Sequence, residues 1–172
     1  MSNVFSGQNI EGRLDIFEST GSFSRPANTT AYADADGVAD NVAASASSNV
    51  EFESCAINNG KSLRLDFVSI TSDNAVTAPT LELWLFDESP TSQADNSAYT
   101  LTDAENNNCV GVIPLFTASS SDNNWRLEAS NLNKIIKTGT NTTSLYGQLR
   151  TVGTYTPASG ETFTFTIIGT YL

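Results

Sequence analysis

The sequence predicts an all-β fold: a two-sheet sandwich of jelly-roll type, organised as a single domain with long loops. Apolar and polar residues alternate with period two in segment after segment, and no stretch repeats its apolar positions at helical spacing. Residues that favour turns punctuate these segments at Pro26, Pro79, Pro90, Pro157 and Gly160. A single sheet of this many strands would need helices to cover its apolar face. With none available, a second sheet must do so.

The clearest strand spans residues 161–171, where Phe163, Phe165 and Ile167 point one way and Thr162, Thr164 and Thr166 the other. In residues 80–86, Leu81, Leu83 and Leu85 share one face and Trp84 and Phe86 the opposite one, so this strand needs apolar cover on both sides and is central or lies under an intermolecular contact. Leu63, Leu65 and Phe67 repeat the pattern upstream. Asn59-Gly60 before them suits a tight turn, and residues 50–70 read as a hairpin.

Further strands are expected at 4–17, 38–43, 110–116, 125–129 and 144–151, with 19–33 as a long exposed loop. Thr102 and Glu105 stand at capping-box spacing and predict a single helical turn. The whole chain, 1–172, reads as one domain, with 1–17 as an N-terminal arm plus the first strand.

Composition narrows the function. Nineteen acidic residues against 8 basic ones give a formal charge of −11, a field that repels nucleic acid and anionic membrane surfaces. No run is long and apolar enough to span a bilayer, and residues 1–10 lack the basic and apolar regions of a signal peptide. Synthesis in the cytoplasm as a soluble protein is the expectation, with Cys55 and Cys109 reduced, buried and in different strands. The sequence contains no histidine, which removes the commonest general base and transition-metal ligand together.

Several patterns invite a chemical reading. Asp34, Asp36 and Asp40 alternate around Gly37 as in a calcium loop, but the glutamate that would close such a loop is missing, so a solvated loop without metal is expected. Asp15 with Glu18, or Glu51 with Glu53, have the residue types of a glycosidase pair. Closeness in sequence does not create that geometry. The serines lack a histidine partner and a nucleophile elbow, so the chain is read as a non-enzyme without cofactor. Asn28 and Asn141 begin glycosylation acceptor triplets, read here as loop residues. Trp84, Trp125, Tyr32, Tyr146, Tyr155 and Tyr171 are the aromatics available to a sugar-binding face or a core.

Three stretches, taken in order, resemble a group of small proteins encoded among the head genes of tailed bacteriophages. The first runs from Ser24-Arg25-Pro26 through Tyr32-Ala33, with residues 34–38 where that group has a Gly-Asp-Val-type step. The second runs from Leu83 to Pro90, then through residues 94–98, 101–104 and 110–113. The third joins residues 144–147 to 155–160 ahead of the final strand. The resemblance implies a β-sandwich virion component: a capsid decoration (cement) protein that binds the exterior of the major capsid protein shell and stabilises the head. It implies no catalytic residue and no cofactor. The partners would be the major capsid protein and further copies of the chain, a trimer being one arrangement. The polar N-terminal residues Ser2, Asn3, Val4, Phe5, Ser6, Gly7 and Gln8 are the expected capsid contacts. A tail, fibre or other host-recognition module that binds cell-surface glycan is the alternative.

Overall fold

A computed structural model describes residues 15–44, 49–74, 77–121 and 124–172. The segment opens with β1 (Ile16–Ser24), β2 (Asp36–Val38), β3 (Val50–Phe52), β4 (Ser62–Ser72), β5 (Leu81–Phe86) and β6 (Ser97–Ala98). A short helix, α1 (Asp103–Asn108), leads into β7 (Cys109–Leu115), β8 (Thr117–Ser121), β9 (Asn124–Lys137), β10 (Leu145–Thr151) and β11 (Thr162–Tyr171).

These strands form two antiparallel sheets. Sheet one has the order β1-β11-β4-β9-β8, and sheet two has β6-β2-β10-β5-β7 with β3 also on β10. The pairings nest: β1 with β11, β2 and β3 with β10, β4 with β9, and β5 with β7. Successive pairs in this nest fall on alternate sheets, so the chain is a long hairpin wrapped around one core. That is the jelly-roll order.

The core follows from period-two alternation. Phe163, Phe165 and Ile167 of β11 and Leu81, Leu83 and Leu85 of β5 point inward and are buried. The sheets meet where Phe165 packs edge-on against Phe52 of β3, with ring centroids 6.4 Å apart. Phe23 lies 5.5 Å from Phe165, and Trp125 lies 5.6 Å from Phe163. Gly147 makes room for Phe52: a Cβ there would sit 2.9 Å from the Phe52 ring and 3.0 Å from Leu83.

The expected strands at residues 80–86, 110–116, 144–151 and 161–171 are present within a residue or two, and β5 lies between β10 and β7 as its two apolar faces require. Thr102 and Glu105 form the capping box expected of them. Among the described residues, no helix is long and apolar enough to cross a membrane.

Several expectations need correction. The 50–70 hairpin does not form, because β3 pairs with β10 in sheet two whereas β4 pairs with β11 and β9 in sheet one. Gly60 does turn the chain, with φ +67°, but the segment it sits in crosses between sheets, tied down by Cys55 and Ala56 N–H donating to the Thr143 carbonyl. Of the strand expected at 4–17, residues 4–14 lie outside the described residues; β1 (Ile16–Ser24) takes in its last two residues and occupies the start of the expected 19–33 loop. A nine-residue ladder to β11 overrides the weak strand propensity of its Ser and Gly residues. The remainder of that loop holds Arg25 and Tyr32, both buried. The strand expected at 38–43 is the short Asp36–Val38.

β9 continues to Lys137, well beyond the expected 125–129, and carries a bulge at which Asn131 and Asn133 adopt positive φ. β4 has an irregularity of its own at Asp66, which is skipped in the register with both β11 and β9 between Leu65 and Phe67. Leu63 and Leu65 therefore face inward, Phe67 faces outward, and Val68 and Ile70 resume the inner row. Finally, both cysteines are free, Cys55 buried in the crossing segment outside any strand, and Cys109 only half-buried.

Phe165→Ala is expected to cost about 3–5 kcal/mol because it removes the ring that joins the sheets. Gly169→Ala, whose Cβ would lie 2.2 Å from the Arg64 carbonyl oxygen, should also destabilise the fold. Urea unfolding of both variants checks this; a midpoint equal to wild type for Phe165→Ala would show that the contact contributes little.

Candidate functional site

The sequence-predicted chemical groups separate into buried and solvated sets. Glu161, fully buried, accepts hydrogen bonds from the hydroxyls of Ser72 (2.5 Å) and Tyr155, from Trp125 Nε1 (3.1 Å) and from Ala158 N–H (3.3 Å). Asp95, also buried, accepts from Arg25 Nη2 (3.0 Å), the Tyr32 hydroxyl and Ala39 N–H (3.1 Å). The Tyr32 and Tyr155 rings stack with centroids 5.9 Å apart and link the two clusters. Burial first, and then the adjacent carboxylate, pushes both tyrosine hydroxyls well above their ordinary range. Buried and surrounded by donors, these carboxylates pin loops and offer a substrate no route of approach.

The other acids are exposed or engaged locally. Glu18 lies on the outer face of sheet one, and Glu51 and Glu53 are exposed at β3, so neither proposed glycosidase pair frames a cleft. Asp36 accepts from Ala33 N–H at 2.7 Å and Asp34 from Gly153 N–H at 2.8 Å, which makes this loop a set of backbone anchors. Among the described residues, no group of three or more potential ligands stands together to hold a metal. Ser2, Asn3, Val4, Phe5, Ser6, Gly7 and Gln8 lie outside the described residues. Of the six aromatics, Trp125, Tyr32 and Tyr155 belong to the interior, so they cannot form one sugar-binding face with Trp84, Tyr146 and Tyr171.

Two outward surfaces remain. The first is the outer face of sheet one, where strand register aligns side chains in rows. One row is Ser22, Thr164, Thr71, Arg126 and Ser119; the next is Thr20, Thr166, Ser69 and Glu128. Below them run Glu18, Ile168, Phe67 and Ser130, and then Ile16, Thr170, Arg64 and Ile135. Ile16 and Ile135, at the ends of the last row, are 66% and 67% exposed. Charges on this face balance in number: Arg64 pairs with Asp66 at 2.8 Å and Arg126 with Glu128, and the distant Lys137 and Glu18 add one charge of each sign. The −11 of the chain is therefore carried elsewhere.

The second surface lies outside sheet two. Trp84 and Phe86 face outward from β5, and residues 87–108 fold over them, burying Phe86 fully and Trp84 in part. Gln148 ties this cover to the sheet by accepting from the Tyr99 hydroxyl (3.0 Å) and donating to Asn49 Oδ1 (2.7 Å) and the Thr91 carbonyl (2.8 Å). A depression of about 260 Å³ remains beside Trp84, lined also by Tyr99, Leu101, Asp103, Asn106 and Arg150. The Trp84 and Tyr99 ring centroids are 5.3 Å apart, and the Arg150 guanidinium lies 5.8 Å from the Trp84 centroid. Tyr99 was missed by the sequence reading because it sits in a loop, without a strand period to mark it.

One wall of this depression is α1, held by Glu105. Its carboxylate accepts from Thr102 N–H (2.8 Å), the Thr102 hydroxyl (2.8 Å) and Thr91 N–H (2.7 Å), and these bonds, the Thr102 backbone first, lower its pKa to about 2.

No protein-family model matches the chain, and neither does any curated protein. Among solved structures, that of a family two carbohydrate esterase from Cellvibrio japonicus is similar over 83% of this chain and 36% of that one, at 13% identity and a TM-score of 0.16. The chain thus spans about a third of that structure's length, and so loose a superposition carries nothing about fold or activity.

Two outcomes test this description. Glu161→Gln sets an amide N–H₂ among donors and should cost about 1–3 kcal/mol in urea unfolding; an unchanged midpoint would remove Glu161 as an anchor. Because Glu105 has a folded pKa below its ordinary 4.5, its capping contribution is complete above that value and is lost as pH falls through about 2. NMR shifts of the α1 amides should move in that acid window and stay fixed in Glu105→Gln.

Proposed function

We propose that the chain is a bacteriophage capsid decoration protein which docks on the exterior of the major capsid protein shell through the outer face of sheet one. The observation that carries this reading is the hydroxyl-rich, charge-balanced character of that face on a strongly acidic chain. Five strands at ~4.8 Å spacing and β1's nine residues at ~3.4 Å rise give roughly 700 Å² of rigid surface. One partner in a standard interface contributes about 800 Å². Rigid, pre-ordered strands lose little entropy on docking, and balanced charge lets apolar and hydrogen-bonding contacts form without desolvating a net charge.

The resemblance to phage head proteins supplies the partner. Ser2 to Gln8 are a second proposed contact, in the segment that precedes β1; among the described residues β1 ends the order of sheet one, a position from which a strand can be added to a neighbour. Binding, not catalysis, is the proposed activity, since the most buried carboxylates serve as loop anchors.

Cosedimentation with undecorated heads tests the reading. Wild-type protein should pellet with heads even in high salt, because apolar and backbone contacts are not screened. Thr20→Glu/Thr166→Glu, which places two carboxylates opposite each other on the face, should abolish pelleting while leaving circular dichroism unchanged. Deleting Ser2 to Gln8 should weaken it. Failure of wild type to bind heads would end the decoration reading; equal binding by the double variant would move the contact off this face.

A further inference from the structure

The outer face of sheet one matches itself. Its rows cross β1, β11, β4 and β9, and a line along the strands between β11 and β4 divides them into halves of like chemistry. Ile16 and Ile135 end one row, Ile168 and Phe67 flank the line in the next, and Thr164 and Thr71 flank it further along. We propose that a second copy of the chain docks here, face to face about a twofold axis on that line, so that Ile16 of each copy meets Ile135 of the other and Ile168 meets Phe67.

A twofold axis in the interface carries each residue on one side of the line onto its counterpart on the other. Closed dimers require this self-complementarity. Ile16 and Ile135 are 66% and 67% exposed, so both are open to such a contact. Phe67 is half-buried, with the Arg126 guanidinium 5.8 Å from its centroid, which leaves most of the apolar contact to the isoleucines.

The polar groups between the two isoleucines are satisfied within the chain. Arg64 donates from Nε to Asp66 Oδ1 (2.8 Å) and from Nη2 to Asp66 Oδ2 (3.3 Å) and the Thr170 hydroxyl (3.1 Å), which itself donates to Asp66 Oδ2 (3.1 Å). This centre demands nothing from a partner and can be covered at little cost in unpaired groups. Because the charges of the face sum to zero, an acidic or a basic partner finds no complementary field on it, whereas an identical neutral face meets no local repulsion.

Four matched strands at ~4.8 Å spacing, each contributing nine residues at ~3.4 Å rise, offer roughly 600 Å² per copy and about 1,200 Å² in all. That is the lower bound of a stable interface, so the dimer is weak and reversible. The −11 of each copy lies on its other surfaces and opposes approach at long range. Salt screens that repulsion and leaves apolar contacts intact, so the dimer should tighten as salt rises. Self-association uses the face proposed for docking but does not depend on the capsid reading.

Analytical ultracentrifugation of the full chain at about 100 µM, in low salt and in ~0.5 M salt, tests the proposal. Wild type should dimerise, more tightly in high salt. Ile16→Asp and Ile135→Lys each bury an unpaired charge twice per dimer and should raise Kd at least about a hundredfold. The double variant sets each new carboxylate against a new ammonium of the other copy and should bind about tenfold or more tighter than either single variant. Both positions are exposed, and circular dichroism checks that the fold is kept; if a charged variant does not fold, Ile16→Ser and Ile135→Ser replace it and should each weaken the dimer about tenfold. Wild type monomeric in both salts, folded single variants as tight as wild type, or a double variant no tighter than the singles overturns the proposal. Cosedimentation with heads keeps the two readings apart: monomeric wild type that pellets ends the dimer and leaves the decoration reading standing, and dimeric wild type that fails to pellet does the reverse.

Discussion

The meeting of the two inner rows, at Phe52 and Phe165, is the contact on which the rest of the structure depends. Each sheet has one strongly apolar face, and each supplies the cover that the other needs. This requirement dictates the nested order of pairs, since a chain that places successive pairs on alternate sheets closes both faces over a common core. It also explains Gly147, where a side chain would take the space of the Phe52 ring. In β4, the bulge reverses which residues face inward and lets Val68 and Ile70 rejoin the inner row.

Loops at the sandwich margin are secured by polar groups. Glu161 gathers Ser72, Tyr155, Trp125 and Ala158, and Asp95 gathers Arg25, Tyr32 and Ala39. Both carboxylates are removed from water and must therefore be well supplied with donors. Side chains that look chemically promising by type, such as Trp125, Tyr32 and Tyr155, are thus committed to structure.

The two outer surfaces differ for a reason traceable to the strands beneath them. Sheet one turns Thr and Ser outward along β1 and β11, which water or a partner can satisfy, so among the described residues no segment folds over this face as one does over sheet two. Sheet two turns Trp84 and Phe86 outward from β5, which demands apolar cover, and residues 87–108 supply it. Cover by an irregular segment is incomplete, and the depression beside Trp84 is where it stops. A broad hydroxyl-rich face and a small recess are two consequences of how each sheet disposes of its outward residues.

The sequence by itself determined the all-β class, the inward rows of β5 and β11, the need of β5 for apolar cover on both sides and the capped turn at Thr102, because alternation and capping depend on neighbours within a few residues. Only the tertiary structure decided that β3 and β4 part to different sheets, that β1 extends through Gly21 to Ser24, and that β9 continues past its bulge. Pairing partners distant in sequence set those outcomes, and no local propensity records them. The same holds for both surfaces: Arg150, Tyr99 and Asn106 come from separate elements, as do Thr20, Thr166 and Ser69. Their proximity exists only once hydrogen-bond register and the fold-over of residues 87–108 have put them side by side.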